Sequence, residues 1–455
     1  MTTSKSNNLT EGPVWSVLIR FTIPFLLSGL FQVLYGTVDV YFVGHYASGA
    51  SIAGTATASQ AMGMITNVFM GLTLGGTVLI GQYIGAKREE SASAVTGNMV
   101  IIFAVIAVLC TLILTVGSPF INRAMQVPED AFDEANRYMM ICGFGAVFIM
   151  GYNVVSAILR GLGNSKAPLY FIAISCLMNI VLDYIFVAVM RKAAAGAALA
   201  TVISQASSLV IAMFYIKRTG LPFKFGIANI KPDKAVIARI FKIGAPVALQ
   251  NSLVGFSFSM ITAITNTLGV AASAGSGVVS KAVDLCMMIP SSFSSSITAI
   301  TAQNVGAGKP ERALKSMKYG IIFSLVFAIP YCLLGSLAPE VIIRLLSSDE
   351  EVVRQACLYL IPFSWDCILV SFVFCMNGFF NGFGKSLFTM GHNISTTFLL
   401  RIPIVWYMSR QPGVTMFQVG LGTPIASVAS LLICLVYLRT KFTKDKLLAQ
   451  TAVVM

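Results

Sequence analysis

The sequence predicts an all-α integral membrane protein whose twelve transmembrane helices form two six-helix bundles. Three observations predict this fold class. First, 56% of the residues are hydrophobic, only 11% are charged, and the mean hydropathy of +0.82 is too high for a soluble or disordered chain. Second, polar segments separate apolar stretches of about 20 residues, the length that crosses a bilayer as a helix. Third, the chain contains an internal repeat.

The apolar stretches number twelve. They are residues 17–44, 52–80, 95–117, 138–159, 167–190, 194–216, 240–266, 274–300, 318–338, 355–379, 386–408 and 416–438. The N-terminal residues MTTSKSNNLTEGPVW lack the apolar core and cleavage site of a removable signal peptide. We therefore expect the first helix itself to direct membrane insertion.

The basic residues are distributed unevenly between the two sides of the predicted bundle. Most of the 31 Lys and Arg residues lie in the N-terminal segment, in the C-terminal tail and in the loops after helices 2, 4, 6, 8 and 10. By the positive-inside rule, both termini are cytoplasmic. The net charge of +13 therefore reflects topology and contact with anionic lipid headgroups, and we expect no nucleic-acid partner.

Two motifs recur at a constant distance along the chain. GQYIGAKREESA at 81–92 aligns with AQNVGAGKPERA at 302–313, and GLGNS at 161–165 aligns with GFGKS at 382–386. Both alignments need the same shift, since 303 minus 82 and 382 minus 161 are both 221. Because six is an even number of spans, the two copies are parallel repeats related by a pseudo-twofold axis along the membrane normal.

The repeat divides the chain into two lobes. We expect an N-lobe at 1–216 with helices 1–6, a basic cytoplasmic linker at 217–239, and a C-lobe at 240–455 with helices 7–12. Two such lobes can rock about the pseudo-twofold axis and open a cavity to either side of the membrane, which is the architecture of alternating access.

The N-lobe contains two membrane carboxylates that the C-lobe lacks. Asp39 lies in the first span and Asp183 in the fifth, and at the shift of 221 their counterparts are Met260 and Ile404. A charge in hydrocarbon is costly, so an acid in a span usually faces a cavity, a partner or a transported ion. The break in the repeat therefore indicates a functional difference between the lobes.

The two acids lie on polar helix faces that can meet. Gln32, Tyr35 and Asp39 share one face of helix 1, and Asn179 and Asp183 share one face of helix 5. At about 1.5 Å per residue, both acids reach a similar depth in the membrane. Burial and each other's charge disfavour their ionised forms, so they can hold a proton near neutral pH and act as a coupling element. The alternative is a static polar plug.

Other ionisable residues have less specific interpretations. Lys281 and Asp284 are expected to neutralise each other on helix 8, and Asp366 on helix 10 pairs with Arg401 on helix 11. The alternative is that such residues line the cavity. The nine Cys and two His residues show no disulfide or metal-site spacing, so we expect no metal centre and no cofactor.

Four segments resemble the multidrug and toxic compound extrusion (MATE) family. They are VLYGTVDVYFVGHY with its acid, GQYIGAKREE after helix 2, ILRGLGNSKAPLY before helix 5, and MNIVLDYIF. The resemblance extends over roughly residues 12–440 and is strongest to the prokaryotic DinF-like branch, which carries an acid in helix 1. No acid stands in helix 7 here, which argues against the branch that relies on one.

The resemblance implies an exporter of cationic or amphipathic organic compounds, in exchange for H⁺ or Na⁺, in a bacterial or archaeal plasma membrane. It implies partners that are small organic cations and membrane lipids, and we expect a monomer. The implied cation-coupling residues are Tyr35, Asp39, Asn153, Asn179, Asp183 and Thr201. The expected cavity residues are Pro24 at a bend in helix 1, Gln32, Gln60, Met64, Lys281 and Asp284. Na⁺ at Asp39 and Asp183 and H⁺ at the same acids remain alternatives, and the substrate stays open.

Functions of other classes are weighed against this one. A flippase for lipids or lipid-linked precursors would also use a cavity between lobes, but only Lys281 and Arg401 are candidate phosphate-binding cations. A major facilitator usually carries D-R-x-G-R-R after helix 2, where this chain has GQYIGAKREE. An enzyme is not expected, since H-E-x-x-H and G-x-S-x-G motifs are absent, and no segment resembles a channel filter.

Overall fold

Helices form nearly all of the chain that the structure describes. The computed structural model describes residues 8–443, and no β-strand occurs within that range. The helices of the first half are α1 (Val14–Tyr46), α2 (Gly49–Gly85), α3 (Glu89–Val116), α4 (Ser118–Ala124), α5 (Glu129–Phe144), α6 (Ala146–Gly161), α7 (Lys166–Asp183) and α8 (Ala193–Thr219). A π-helical turn, Tyr184–Val189, extends α7.

The second half repeats much of this order. Its helices are α9 (Lys234–Asn266), α10 (Val270–Gly306), α11 (Pro310–Leu337), α12 (Pro339–Ile343), α13 (Glu350–Gly382), α14 (Ser386–Thr396), α15 (Ile402–Ser409), α16 (Met416–Gly420) and α17 (Gly422–Lys441). A π-helical turn, Thr397–Arg401, joins α14 to α15, as a π-helical turn extends α7 in the first half.

The lengths and composition of these helices confirm the predicted fold class. Ten spans in the described residues are long and apolar enough to cross a membrane, and α5 with α6 makes an eleventh that is bent by 53°. The continuous run from α14 through the π-helical turn to α15 coincides with the remaining predicted apolar stretch, 386–408. Polar residues such as His392 and Arg401 make this run less apolar than the others.

Several helices extend beyond the apolar stretches that predict them. Helix α11 begins at Pro310, although its apolar stretch begins at residue 318. Proline suits the first helical turn because its missing N–H would have no partner there, and Glu311 interacts favourably with the helix dipole. Amphipathic ends of this kind have no hydropathy signal, so hydropathy alone places helix ends too far inside.

The chain divides into two compact units. The first unit contains residues 23–248, and the second contains residues 9–22 with the described part of 249–455. The division passes through α1 and α9, in each case beside a proline within the helix, Pro24 or Pro246. Proline removes one backbone hydrogen bond from a helix, so each division coincides with a locally weakened turn.

The chain segments just before α9 and just before α1 are each held by a hydrogen bond to a helix of the unit in which they lie. In the first unit, the backbone N–H of Asp233 in the linker donates a 2.8 Å hydrogen bond to Oδ1 of Asn98 on α3. In the second unit, Nδ2 of Asn304 on α10 donates a 3.2 Å hydrogen bond to the carbonyl oxygen of Leu9. The two polar contacts anchor the start of α9 and the start of α1 on these respective units.

Helices α2 and α9 approach closely within the first unit. A Cβ atom at Gly71 would lie 2.5 Å from Cα of Ala248, and one at Gly75 would lie 2.3 Å from the carbonyl oxygen of Ile240. Neither position has room for a larger side chain. Small residues at such contacts let backbones approach and gain van der Waals packing, which is the main source of helix association in lipid.

Candidate functional site

Asp39 is buried about two turns before the C-terminal end of α1 and receives three hydrogen bonds from three other helices. Asn179 Nδ2 on α7 donates to Oδ1 at 3.2 Å. Thr201 Oγ1 on α8 donates to Oδ2 at 3.1 Å. Tyr138 Oη on α5 donates to the same oxygen at 3.4 Å. Residues far apart in sequence therefore converge on one carboxylate, which is the arrangement expected of a binding site in a helix bundle.

Asp183 is the second carboxylate of this cluster and is fully buried at the end of α7. No donor among the described residues reaches either of its oxygens, and the group that it faces is the carboxylate of Asp39. Two ionised carboxylates in contact repel each other, and buried polar atoms without a partner are costly. The pair therefore requires a positive species, and a proton shared between the two acids or a bound cation would supply it.

Asn179 completes the part of the cluster that lies on α7. Its Nδ2 is used by Asp39, whereas its Oδ1 is buried and accepts no hydrogen bond from the described residues. An amide oxygen without a donor can accept a hydrogen bond from a protonated acid or coordinate a hard cation. With both oxygens of Asp183, the site offers three unsatisfied oxygen atoms.

Tyr35 joins the cluster through α8 and not through Asp39 directly. Its hydroxyl donates to the carbonyl oxygen of Thr201 at 3.1 Å and makes a short contact with the hydroxyl of Ser204. Tyr35 therefore lies one turn before Asp39 on the same face of α1, as the sequence predicts, and fixes α1 against α8. Thr201 links the two contacts, since its backbone carbonyl oxygen accepts from Tyr35 and its hydroxyl donates to Asp39.

The structure adds a helix that the sequence analysis did not include. Tyr138 on α5 touches Asp39, and Ser59 on α2 donates to the Tyr138 hydroxyl at 3.1 Å. A buried tyrosine in a transmembrane helix is common, so neither composition nor spacing distinguishes Tyr138 from an ordinary core residue. Only the packing of α5 against α2 and α8 reveals its role.

Asn153 lies outside the hydrogen-bonded cluster. Its Nδ2 donates to the carbonyl oxygen of Ile149 on its own helix at 2.8 Å. The side chain also lines a small apolar pocket with Met62, Phe69 and Met150. The structure thus brings together Asp39, Asp183, Asn179, Thr201 and Tyr35 and leaves Asn153 as a neighbour on α6.

The residues predicted to line a substrate cavity differ in their exposure. Gln32, Gln60 and Met64 are exposed, whereas Pro24 is buried within α1, which continues from Val14 to Tyr46. Exposed amides in the middle of long apolar helices are costly in hydrocarbon and therefore favour a water-accessible surface. The role of these residues in a cavity stays a prediction.

Neither pair of charges predicted in the C-lobe is a direct salt bridge. The salt bridges among the described residues are Arg137–Glu134, Arg344–Glu340, Arg344–Glu350 and Arg354–Glu351. Lys281 and Asp284 are exposed on α10 and interact only at longer range. Asp366 and Arg401 also interact at longer range, although both are buried. Each pair is close enough to interact electrostatically, but its charged atoms make no direct contact.

The composition of the cluster limits its chemistry. Its groups are carboxylates, amides and hydroxyls, which are hard oxygen ligands, and no cluster of His, Cys, Asp or Glu in residues 8–443 has the geometry of a metal site. Such a set can hold a proton between two acids or a hard monovalent cation among oxygens. It contains no activated nucleophile of the kind used in covalent catalysis.

The family model described as MatE matches the chain twice, at residues 24–185 and 246–407. The starts of the two matches differ by 222 positions, which confirms the internal repeat. Together the matched segments cover most of the chain and include Asp39 and Asp183.

Similar proteins of named function include several multidrug proteins. The chain is 24% identical over 441 residues to the probable multidrug resistance protein YoeA of Bacillus subtilis, with 95% of each chain covered. It is 25% identical over 421 residues to the probable multidrug resistance protein NorM of Thermotoga maritima, covering 91% of this chain and 89% of that one. It is 23% identical to the multidrug export protein MepA of Staphylococcus haemolyticus, with 96% of each covered.

Solved structures share the fold over the whole chain. A structure described as MATE in the bent conformation matches with a TM-score of 0.91 at 19% identity and covers 100% of both chains. A transporter of the MOP superfamily from Pyrococcus furiosus matches with a TM-score of 0.90 at 19% identity and covers 100% of this chain and 99% of that one. At this identity the likeness establishes the fold.

Proposed function

This chain belongs to the MatE family, a family of membrane transporters and not of enzymes, and from that premise we propose that it exports cationic or amphipathic organic compounds in exchange for H⁺ or Na⁺. The relatives named as multidrug resistance or export proteins support the substrate class. The proposed orientation, with both termini in the cytoplasm of a prokaryotic cell, rests on the distribution of Lys and Arg.

The observation that carries the coupling proposal is the contact between Asp183 and Asp39. Neither oxygen of Asp183 has a donor in the part of the chain that the structure describes, and the opposing group is another carboxylate. A site that needs a positive species for charge balance changes its energy when that species enters or leaves. A conformational equilibrium that alters access to the site is then coupled to the ion gradient, because the ion binds the conformations with different affinities.

We assign distinct roles to the surrounding residues. Asp39 and Asp183 hold the coupling ion, Asn179 and Thr201 orient Asp39, and Tyr35 holds α1 against α8. When a proton or Na⁺ occupies the pair, the two acids attract a common charge. When the ion leaves, they repel each other, and the helices that carry them favour another arrangement. Export of an organic compound would use this change by alternating access.

The experiment that tests the proposal is transport by purified protein in liposomes. Efflux or uptake of a fluorescent organic cation is measured with an imposed H⁺ gradient and, separately, with an imposed Na⁺ gradient. Wild type is compared with Asp39→Asn and with Asp130→Asn, a matched control on an exposed acid of α5. We expect one gradient to drive transport in wild type and in the control and neither gradient to drive it in Asp39→Asn.

Two results would contradict the proposal. Full gradient-driven transport by Asp39→Asn would mean that the coupling ion binds elsewhere. A wild-type protein that responds to neither gradient would favour movement of lipids or lipid-linked precursors, and the same liposomes would then be assayed for lipid translocation.

A further inference from the structure

The two units carry buried charges of opposite sign, and each charge adjoins or ends a π-helical turn. Asp183 directly precedes the turn Tyr184–Val189, and Arg401 is the last residue of the turn Thr397–Arg401. The repeated family match pairs the helices that contain them. π-Helical turns are rare and frequently occur at functional sites. At the shift of 221 the first turn corresponds to residues 405–410, so the acid and the arginine occupy different positions of the repeat, and the contacts of Arg401 itself decide what it can bind.

Arg401 is buried but only partly satisfied by the protein. Its relative exposure is 8%, and its one hydrogen bond among the described residues runs from Nε to Oγ1 of Thr423 at 3.3 Å. The guanidinium also lies 4.3 Å from the centroid of the Phe258 ring. Arginine has five N–H donors, so the two terminal NH₂ groups retain donors without an acceptor within residues 8–443.

The nearest carboxylate does not neutralise Arg401. Asp366 is buried at 2% exposure and lies within electrostatic range, but the two side chains form no salt bridge, and Oδ1 of Asp366 has no donor among the described residues. A buried arginine that served only to pair with an acid would normally hold it in a bidentate contact. Leaving both charges apart in the membrane is costly, so the arrangement suits a third, charged group.

Phe258 gives the surroundings of Arg401 an apolar, accessible surface. The ring is 45% exposed although the guanidinium beneath it is nearly buried. An aromatic ring next to a cation can receive the apolar part of a ligand whose charged end reaches the cation. Thr423 on α17 accepts a hydrogen bond from Nε of Arg401, which leaves the two terminal nitrogens as donors for a ligand.

We propose that Arg401, Phe258 and Thr423 form an anion-binding subsite for the carboxylate or phosphate of an amphipathic compound whose aromatic part lies against Phe258. The proposal rests on the proposed transport function for its substrates and extends their class from cations to zwitterions and amphipathic anions. Arg401 acts as a bidentate ligand of the anion, and Phe258 provides the apolar contact.

The test is equilibrium binding of a matched pair of dyes to the full-length protein in detergent. Tetramethylrhodamine with a free carboxylate and its methyl ester differ only in that anionic group, and fluorescence anisotropy reports the Kd of each. A charge-assisted contact of this kind is worth about tenfold in affinity or more. We expect Arg401→Gln to raise the Kd of the free acid by about tenfold and to change the Kd of the ester by less than about twofold.

Arg410 offers a matched control. It also lies over an aromatic ring, 4.2 Å from the centroid of Trp406, but it is exposed. We expect Arg410→Gln to leave both dyes unaffected. Arg401→Lys keeps the charge and loses the planar fork, so we expect it to fold even if Arg401→Gln does not and to weaken binding of the acid by a smaller factor.

The outcomes separate this subsite from the transport proposal. Equal binding of the acid by wild type and both Arg401 variants would mean that water satisfies the guanidinium, and an equal loss of both dyes would mean a structural role; either result overturns the subsite. Neither result depends on gradient-driven transport, because binding is measured at equilibrium. Competition by short-chain phosphatidylglycerol in wild type, lost in Arg401→Gln and weakened in Arg401→Lys, would identify a lipid phosphate as the anion; competition by benzoate alone would identify a carboxylate.

Discussion

Asn179 on α7 donates a 3.2 Å hydrogen bond to Asp39 on α1, across 140 positions of sequence, and leaves its own amide oxygen without a donor. The amide thus stabilises the ionised form of Asp39, and its oxygen, one helical turn before Asp183, accepts no hydrogen bond from the described residues. A hydrogen bond to a charged group contributes about 1.5–3 kcal/mol. The balance between the ion-bound and ion-free site therefore depends on Asn179 as well as on the acids.

The substitution Asp39→Asn should abolish gradient-driven transport without unfolding the protein. An asparagine has the same shape and can donate to Asp183, which lacks a donor in the native site. We expect transport at the level of protein-free liposomes and a melting temperature equal to or above that of wild type. Thermal unfolding of the purified protein checks the second expectation. A melting temperature clearly below wild type would mean that Asp39 is needed for folding.

The two hydroxyl donors to Asp39 should contribute unequally. Thr201 donates at 3.1 Å and Tyr138 at 3.4 Å to the same oxygen, and the longer contact is the weaker one. We expect Thr201→Val to change the apparent affinity for the coupling ion about tenfold and Tyr138→Phe to change it about twofold. If the ion is H⁺ the affinity rises, because the ionised carboxylate loses a hydrogen bond that stabilises it. The measurement is the ion concentration at half-maximal transport. A larger effect of Tyr138→Phe would contradict the order of the two contacts.

The close contact between α2 and α9 should make Gly71 intolerant of substitution. A Cβ at Gly71 would lie 2.5 Å from Cα of Ala248, whereas a Cβ at Gly63 on the same helix meets no atom within 4 Å. We expect Gly71→Ala to destabilise the protein by about 1–3 kcal/mol, because the backbone of α9 would have to move away to make room for the added methyl group. Gly63→Ala should be neutral or slightly stabilising, since alanine is the better helix former. Thermal unfolding of both variants gives the comparison, and equal melting temperatures would contradict the close approach.

The predicted orientation is tested by reporters at two positions. Fluorescence of a green fluorescent protein fused to the C-terminus requires a cytoplasmic location, and alkaline phosphatase inserted after Ser347 between α12 and α13 is active only outside the cytoplasm. We expect both reporters to be active, because few Lys and Arg residues lie on the side of that loop. If neither reporter were active, the predicted cytoplasmic location of the termini would be wrong and the orientation would be the opposite one.

Much of the architecture follows from the sequence. Lipid offers no hydrogen-bond partners, so the backbone of a spanning segment must form hydrogen bonds within itself, and twelve apolar stretches are enough to predict twelve helices. Helix α11 shows the limit of this signal, because its amphipathic start lies outside the apolar stretch. Part of the site also follows from the sequence. The cost of a charge in hydrocarbon singles out Asp39 and Asp183, and helical spacing adds Asn179 and Tyr35 to their faces.

The rest of the site depends on which helix faces meet. Tyr138 and Ser204 have the same local pattern as many buried residues of this chain, and only the packing of α5 and α8 against α1 brings them to the cluster. The same reason applies to Arg401. The sequence analysis pairs it with Asp366, whereas in the structure it lies over the Phe258 ring and donates a hydrogen bond to Thr423. The sequence by itself determined the membrane class, the repeat and the identity of the acids, because these follow from hydropathy, spacing and the energy of buried charge. The partners of each side chain were decided by the tertiary structure alone, since rotation and bending of helices set the directions in which polar groups point, and no local pattern encodes them.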